Sequence, residues 1–153
     1  ELKRTLRQYL DFDTDVEEYA LTENEMSLFF EKDGEMFVRT NNKVGFKKIQ
    51  NFDAINVERP NSTTRRGRVG EQMVHTITTS PNQCVYYDGI FRRLSPLENW
   101  RLMGYSDEDF HNVMKKDIPK KELYKLAGNS IVVEVMEAIF TKLLKLDGGA
   151  ACA

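Results

Sequence analysis

The sequence predicts an α+β fold in which a small mixed sheet or hairpin region is followed by several helices, the last of them long. Three observations predict this fold. Residues 84–87 and 90–93 are strand-like and flank Asp88 and Gly89, a typical two-residue hairpin turn. Residues 95–98 read SPLE, which combines an N-cap serine, a proline in the first turn and a glutamate three residues after the cap. Apolar residues then recur at helical spacing from residue 130 to 146.

The first region, residues 1–33, is predicted to be a helical segment with a linker. Residues 2–10 can form a short helix, and the acidic run 11–18 is the linker. Thr22 and Glu25 form the pattern of a capping box, which predicts a second helix running through Phe30.

The middle region, residues 34–93, is predicted to hold strands and a basic loop. Residues 36–40 are typical of a strand, and residues 44–46 are expected to form a second strand that runs back along it. Residues 50–72 carry scattered turn formers and no sustained period, so we expect a long functional loop there. Residues 74–79 alternate in part, which predicts a short strand with a hydroxyl-rich end.

The last region, residues 94–153, is predicted to be helical. The helix that begins after Ser95 should end at Gly104, and Ser106 with Asp109 predicts the start of another. Residues 119–126 are expected to form a turn or short helix, before a long helix over residues 130–146. The apolar face of this last helix is wider than one side of a small domain usually buries, which predicts a partner.

Charge is distributed unevenly in this chain of 153 residues with a net charge of −2. Residues 1–35 hold 4 basic and 11 acidic side chains, whereas residues 36–70 hold 8 basic and 2 acidic ones. A local basic segment in an acidic chain is typical of a phosphate-binding surface, and a solvated charged face is the alternative.

Other classes of site find little support in the sequence. The two cysteines lack metal-ligand spacing, and Cys84 lies in an apolar run where a buried, inert thiol is expected. His75 is expected to be a structural histidine with its hydrogen bonds satisfied, and a strand position beside DNA is the alternative. His111 is expected to be a surface residue. No apolar run of 18 residues, signal peptide or lipidation motif occurs, which predicts a protein without a membrane partner.

Residues 123–133 read LYKLAGNSIVV. The pattern places a flexible Ala-Gly hinge before Asn129 and Ser130, at the predicted N-terminus of the last helix. A helix N-terminus offers free backbone N–H groups and partial positive charge, so it can bind a polar or anionic ligand group. The alternative is that one of the two side chains is only an N-cap.

Together with this stretch, two further segments carry a family resemblance. They are residues 92–105, which read RRLSPLENWRLMGY, and residues 65–80, in which RRGRVG leads into HTITTS. In their order and spacing the three segments resemble the C-terminal part of DNA (cytosine-5) methyltransferases of the phage and prophage type. Leu97 departs from the pattern, since many relatives carry arginine there.

The resemblance implies roles for particular residues. Asn129, Ser130 and Ile131 would contact S-adenosyl-L-methionine, the cofactor of the family. Residues 34–93 would be the target-recognition region, in which Arg65, Arg66, Arg68, Thr78 and Thr79 would contact duplex DNA. Residues 92–105 would be mainly a scaffold, with Arg93 bound to backbone carbonyls or a carboxylate.

The catalytic features of the family are not found in the sequence. Its nucleophile is a cysteine preceded by proline, and neither Cys84 nor Cys152 follows proline. We therefore expect a C-terminal fragment or subunit of a bacterial or phage cytoplasmic methyltransferase, with no catalytic residue of its own and inactive alone. Its expected partners are duplex DNA, the N-terminal catalytic portion and, through the last helix, a second copy of the chain. A free-standing DNA-binding or regulatory module and an oligomerisation domain are the alternatives.

Overall fold

The structure, a computed structural model, describes residues 4–147, with side chains described through residue 144. The seven strands are β1 (Phe29–Lys32), β2 (Glu35–Arg39), β3 (Phe46–Lys48), β4 (Ala54–Asn56), β5 (Arg68–Gly70), β6 (Gln83–Tyr87) and β7 (Ile90–Arg93). The helices are α1 (Glu23–Met26), α2 (Pro96–Leu102), α3 (Asp107–Met114), α4 (Lys120–Asn129) and α5 (Val133–Asp147), and a 3-10 turn spans Leu6–Tyr9. The predicted α+β class is confirmed.

The strands form two small antiparallel sheets. The first has the order β1-β2-β3, and the second has the order β5-β4-β6-β7. One apolar cluster joins them, with Val38 and Ile49 from the first sheet side packed with Ile55 and Cys84 of the second. The predicted hairpin is confirmed as β6 and β7, whose turn residues Asp88 and Gly89 both have positive φ, as a type I′ turn requires.

The helices pack around a separate apolar cluster. Trp100 of α2 and Met103, the C-cap of α2, meet Phe110 of α3 and Leu123 and Ala127 of α4 in this core. The predicted caps of α2 and α3 are confirmed, because Ser95 and Ser106 each accept a hydrogen bond from the backbone N–H three residues later. These caps fix where each helix begins.

The prediction of a helix from Thr22 through Phe30 was wrong. The capping box at Thr22 is present, but α1 ends at Met26 and β1 begins at Phe29. Asp33 and Gly34 both have positive φ and turn the chain back, so that β1 pairs with β2. Pairing of Phe30 with Phe37 across this hairpin outweighs a helix that has no packed face.

The loop predicted over residues 50–72 is also corrected, because it contains β4 and β5. The triplet Ala54–Asn56 is the central strand between β5 and β6, and Ala54 and Ile55 are fully buried. Residues 74–79, by contrast, form no strand. The predicted helix over residues 2–10 is reduced to the 3-10 turn Leu6–Tyr9 within the described part of the chain.

Candidate functional site

The segment around Asn129 differs from the predicted helix N-terminus. Helix α4 continues through Gly128 and ends at Asn129, and α5 begins only at Val133. Ser130 is the C-cap of α4, and its hydroxyl donates to the Ala127 carbonyl oxygen at 2.7 Å. The Ala-Gly pair is therefore the last turn of a helix and not a hinge. The N–H of Val133 at the start of α5 is bound to the Met103 carbonyl oxygen at 3.0 Å.

Three consecutive residues at this helix junction are still accessible to solvent. Asn129 and Ile131 are exposed, the latter with 59% of its surface accessible, and Ser130 is half-buried. They offer an amide, a hydroxyl oxygen with a free lone pair and an apolar edge. Such a surface can meet both the polar and the apolar parts of a small ligand, although it encloses none by itself.

Gly128 brings this junction against the predicted DNA-contacting threonines. A Cβ atom at Gly128 would lie 2.3 Å from the Thr78 carbonyl carbon and 2.4 Å from the Thr79 nitrogen. Only a residue without a side chain permits this approach of a helix to the Thr78-Thr79 peptide. Ile77 packs with the helical core beside it. The segments that contain residues 78–79 and 129–131 are therefore directly adjacent.

The two threonines differ in what they can offer. The Thr78 hydroxyl donates to the Ser80 carbonyl oxygen at 3.1 Å and is half-buried, which stabilises the turn. Thr79 is exposed, and no hydrogen bond of its side chain occurs within residues 4–147. Of the two, Thr79 has the hydroxyl that is free for a ligand.

Helix α4 is held in place by two side chains of the scaffold. The Trp100 indole N–H donates to the Leu123 carbonyl oxygen at 3.0 Å, and the Tyr124 hydroxyl donates to the Leu94 carbonyl oxygen at 2.8 Å. Both bonds are buried, so they are shielded from competition with water. They fix the position of Gly128 relative to β7 and α2.

A buried ion pair joins β7 to α2. The guanidinium of Arg92 donates to both carboxylate oxygens of Glu98, at 2.6 and 2.8 Å, and both side chains are fully buried. The same carboxylate accepts the backbone N–H groups of Asp11 and Ser95. Burial acts to lower the pKa of Arg92, but the hydrogen bonds to Glu98 and Tyr87 raise it overall. The guanidinium therefore stays protonated.

Arg93 confirms the predicted anchoring role. It donates to the Ala20 carbonyl oxygen at 2.6 Å and pairs with the Glu25 carboxylate. Partial burial acts to raise the pKa of Glu25, but hydrogen bonds from Thr22 and Arg93 lower it overall. Arg93 therefore connects the predicted scaffold, residues 92–105, to the N-terminal segment through one hydrogen bond to a carbonyl oxygen and one ion pair.

The three predicted DNA-contacting arginines lie on one loop and the start of β5, fixed by Gly67. A Cβ atom at Gly67, where φ is +61°, would lie 1.9 Å from the Arg39 carbonyl oxygen. Arg65 and Arg68 are exposed, and both line a cleft of about 350 Å³ with Arg59. Arg66 is half-buried and lines a second cleft of about 350 Å³, which Arg68 also borders.

Sequence reasoning missed the setting of His75. Its backbone N–H donates to the Gln83 side-chain oxygen at 2.7 Å, and the Gln83 amide donates back to the His75 and Thr76 carbonyl oxygens. The expectation of a satisfied structural histidine was wrong, because the buried Nε2 atom has no hydrogen-bond partner within residues 4–147. The sequence did not predict these hydrogen bonds of Gln83, because they join it to residues seven and eight positions earlier in the chain.

Cys84 confirms the prediction of a buried, inert thiol. Its side chain is fully buried in β6, and burial raises the pKa of the thiol well above its ordinary value. The thiolate that nucleophilic attack requires is therefore not accessible at this position. Cys152 lies outside the described residues.

Neither metal-binding nor membrane-spanning features occur in the described part of the chain. No group of three or more histidine, cysteine, aspartate or glutamate side chains is arranged to hold a metal ion in residues 4–147. Over the same residues, none of the helices has the length and apolar composition needed to cross a bilayer.

Comparison with known proteins bears on these surfaces. Residues 1–145 match the family described as C-5 cytosine-specific DNA methylase, which covers nearly all of the chain. The chain belongs to this family. The methylase family thus accounts for the three resembling segments being found together.

Individual methylase relatives match a shorter stretch. The chain is 53% identical over 53 residues to the orphan methyltransferase M.SPBetaI of Bacillus phage SPbeta, which is 35% of this chain and 12% of that protein. It is 46% identical over 54 residues to the type II methyltransferase M2.ScrFI of Lactococcus lactis subsp. cremoris, 35% of this chain and 15% of that protein. The type II methyltransferase M.NlaIV of Neisseria lactamica is 40% identical over 57 residues, 37% of this chain and 12% of that protein. These matches span only a small part of each methylase relative.

Proposed function

We propose that this chain is the C-terminal part of a phage-like DNA (cytosine-5) methyltransferase, which binds duplex DNA and closes one side of the S-adenosyl-L-methionine site. The observation that carries the proposal is the close packing of Gly128 on the Thr78-Thr79 peptide. This packing supports the proposal because it brings the segment of the candidate cofactor-contacting residues next to Thr78 and Thr79, two of the candidate DNA-contacting residues. A DNA methyltransferase needs these two ligands side by side, because a methyl group passes between them.

The basic loop supports the DNA-binding half of the proposal. Arg65, Arg66 and Arg68 are held by Gly67 at the edge of the second sheet, and no ion pair within residues 4–147 neutralises them. Arginine side chains in this state can bind phosphate oxygens or guanine edges. Thr79 adds an exposed hydroxyl near the α4–α5 junction.

The cofactor half of the proposal rests on the surface of Asn129, Ser130 and Ile131. S-adenosyl-L-methionine carries ribose and amino-acid groups that hydrogen-bond, and an adenine ring with apolar faces; when bound it supplies the methyl group. The Asn129 amide and the Ser130 oxygen would hydrogen-bond its polar groups, and Ile131 would pack on an apolar part. These residues fit one edge of such a site, so the remaining walls are proposed to come from the rest of the enzyme.

We propose that the catalytic cysteine also comes from sequence other than these 153 residues. The buried Cys84 thiol, with its raised pKa, is unsuited to attack a pyrimidine ring. This chain would then contribute binding energy that offsets the unstacking of the target cytosine, while a thiolate in the remaining part attacks the base. On this proposal the isolated chain is inactive, and the complete enzyme acts in the cytoplasm of bacterial or phage-infected cells.

The exposed apolar face of α5 supports a contact with that remaining part or with a second copy of the chain. Val135, Ile139, Phe140 and Leu143 are each about half exposed. Their burial against another protein surface would remove apolar area from water, which is favourable.

The test is to mix the chain with the complementary N-terminal portion of a relative and to assay methyl transfer to duplex DNA. The proposal expects activity only in the mixture. A folded mixture that binds both ligands and transfers no methyl group would contradict it. Tight, salt-dependent DNA binding by the isolated chain without any gain on mixing would favour a free-standing DNA-binding module instead.

Within an active mixture, Asn129→Ala should weaken binding of the cofactor about tenfold through the loss of hydrogen bonds, and leave DNA affinity nearly unchanged. Isothermal titration with S-adenosylhomocysteine and anisotropy with labelled duplex measure the two affinities. Asn112→Ala, an exposed asparagine on α3, is the matched control and should change neither. A larger loss of DNA affinity than of cofactor affinity would show that Asn129 is not part of the proposed cofactor site.

A further inference from the structure

Two buried nitrogen atoms beside the basic loop have no hydrogen-bond partner within residues 4–147. They are Nε of Arg66 and Nε2 of His75. Buried polar atoms in folded proteins are nearly always paired, so two unpaired ones in the same place require an explanation. Both residues line the second cleft of about 350 Å³.

The lining of this cleft selects for an anion. It contains the cations Lys47, Arg66 and Arg68, together with His75 and the side chains of Asn41 and Asn42. No carboxylate is among its lining residues, although Lys47 pairs outside them with the exposed Glu71 at 2.7 Å. The neighbouring cleft differs, because Glu58 lies there among Arg59, Arg65 and Arg68.

The backbone next to Arg66 and at His75 is fixed by contacts with other segments. The contact of Gly67 with the Arg39 carbonyl oxygen fixes the residue after Arg66. Three hydrogen bonds with the buried Gln83 amide fix His75 and Thr76. A site arranged before binding loses less conformational entropy when a ligand arrives.

We propose that this cleft binds one phosphodiester group of the DNA, and that on binding the Arg66 and His75 side chains turn so that Arg66 Nε–H and His75 Nε2–H donate to its oxygens. The imidazole carries a proton on Nε2 in one neutral tautomer and in the cation, so it can donate in either form. Arg66 and His75 then position the duplex, and Arg65, which lines the other cleft, is free for contacts with base edges. The inference rests on the proposed DNA-binding function and assigns the phosphate contact within it.

The first test alters the ligand and compares its effect on the wild-type protein and on one variant. Duplexes in which single phosphates are replaced in turn by neutral methylphosphonates are titrated against the 153-residue chain. One position should weaken binding about tenfold for wild-type protein and have almost no effect on Arg66→Ala. Equal losses at that position in wild type and variant would overturn the assignment.

The second test uses the salt dependence of DNA affinity. Arg66→Ala should lower the slope of log K against log salt concentration by about 0.9, equally for two unrelated sequences. Lys116→Ala, an exposed lysine after α3, is the control and should leave the slope unchanged. His75→Gln should weaken binding without changing sequence preference. A change of sequence preference in Arg66→Ala would show base contact and overturn the proposal.

Arg66→Lys keeps the charge but lacks Nε, so it distinguishes loss of the donor from loss of folding. It should have the melting temperature of the wild type and still lose its sensitivity to the methylphosphonate at that one position.

A titration with inorganic phosphate tests the anion site separately from DNA binding, and the NMR signals of His75 report the binding. Phosphate binding that Arg66→Ala abolishes, in a chain that does not bind duplex DNA, would retain the anion site and contradict the DNA function. If both Arg66→Ala and His75→Gln bind duplex DNA as tightly as the wild type, the anion site is contradicted and the DNA function is retained.

Discussion

At the scale of single residues, two close approaches and one buried ion pair position the candidate site. Gly67 and Gly128 each stand where a side chain would collide with backbone atoms of another segment. The Arg92–Glu98 pair connects a strand, a helix and the chain near Asp11. Gly67 fixes the backbone beside Arg66 and Arg68, Gly128 fixes the segment before Asn129, and the ion pair holds β7 against α2.

Replacing Gly67 by alanine should destabilise the protein by more than about 3 kcal/mol and weaken DNA binding. The added methyl group would collide with the Arg39 carbonyl oxygen, and the positive φ adds about 1 kcal/mol of strain. Gly45→Ala is the matched control, because its φ is +86° but the space around it is open. Urea unfolding and anisotropy measure both effects. Similar costs for the two variants would show that the contact with Arg39 does not matter.

Replacing Glu98 by glutamine should cost about 3–5 kcal/mol of unfolding free energy, because the Arg92 cation is then left buried without a counter-charge. The glutamine amide also cannot accept all the hydrogen bonds that the carboxylate accepts. Asp107→Asn removes the partly exposed pair with Arg101 and should cost less than about 1 kcal/mol. Denaturant unfolding of both variants compares them, and an equal loss would argue against the importance of burial.

At this scale the sequence predicted the role of Arg93 but not that of Arg92. An arginine is seldom fully buried, and nothing in the local pattern of β7 marks the burial of Arg92. The sequence also could not predict the unpaired atoms of Arg66 and His75, because hydrogen bonding there depends on which segments meet in the fold. Polar atoms become paired or orphaned only when the chain has folded.

At the scale of elements, local signals predicted where helices begin better than where they end. The capping boxes at Thr22, Ser95 and Ser106 are all present. The helix after Thr22 nevertheless stops within four residues, because the aromatic residues that follow pair with β2. Helix α4 passes through Gly128, which the sequence suggested as a hinge, because Gly128 packs against residues 78–79.

The connection between α1 and β7 should make stability depend on pH. The pKa of Glu25 is lowered in the folded protein, so the folded state binds fewer protons than the unfolded state. Its stabilisation is fully present above the unfolded pKa near 4.5 and is lost as pH falls through the lower folded value. Glu25→Gln should remove this part of the acid sensitivity. Thermal melting between pH 7 and pH 3 measures it.

Glu71 provides the control for this experiment. Its pKa is also lowered, by the hydrogen bond and charge of Lys47, but the carboxylate is largely exposed. Glu71→Gln should therefore change the acid limb less than Glu25→Gln does. A melting profile of Glu25→Gln that parallels wild type down to pH 3 would contradict the proposed contribution of the Arg93 pair.

At the scale of the whole molecule, the exposed face of α5 is the largest departure from a closed apolar core. Val132 packs with the helical core, whereas Ile139, Phe140 and Leu144 farther along are exposed by about half or more. The sequence predicted this face from its periodicity. It could not predict that the helix would leave the core after its first turn.

Phe140→Asp should weaken association through α5 about tenfold, because burial of its exposed half contributes about 1.5 kcal/mol. Sedimentation velocity of the chain, alone and with the complementary catalytic portion, measures the association. The melting temperature should change little, since the side chain is half exposed in the folded chain. Glu137→Gln on the same helix is the control. Association that is unaffected by Phe140→Asp would move the contact elsewhere.

The sequence by itself determined the fold class, the capped helices, the β6–β7 hairpin and membership of the methylase family. The first three follow from short-range patterns, in which capping, turn conformation and periodicity act within a few residues. Family membership follows instead from the sequence match over residues 1–145. Tertiary structure decided that residues 78–79 lie on Gly128, that Arg92 is buried against Glu98, and that Arg66 and His75 share a cleft. Such contacts join residues far apart in the chain, and packing of the whole fold selects them.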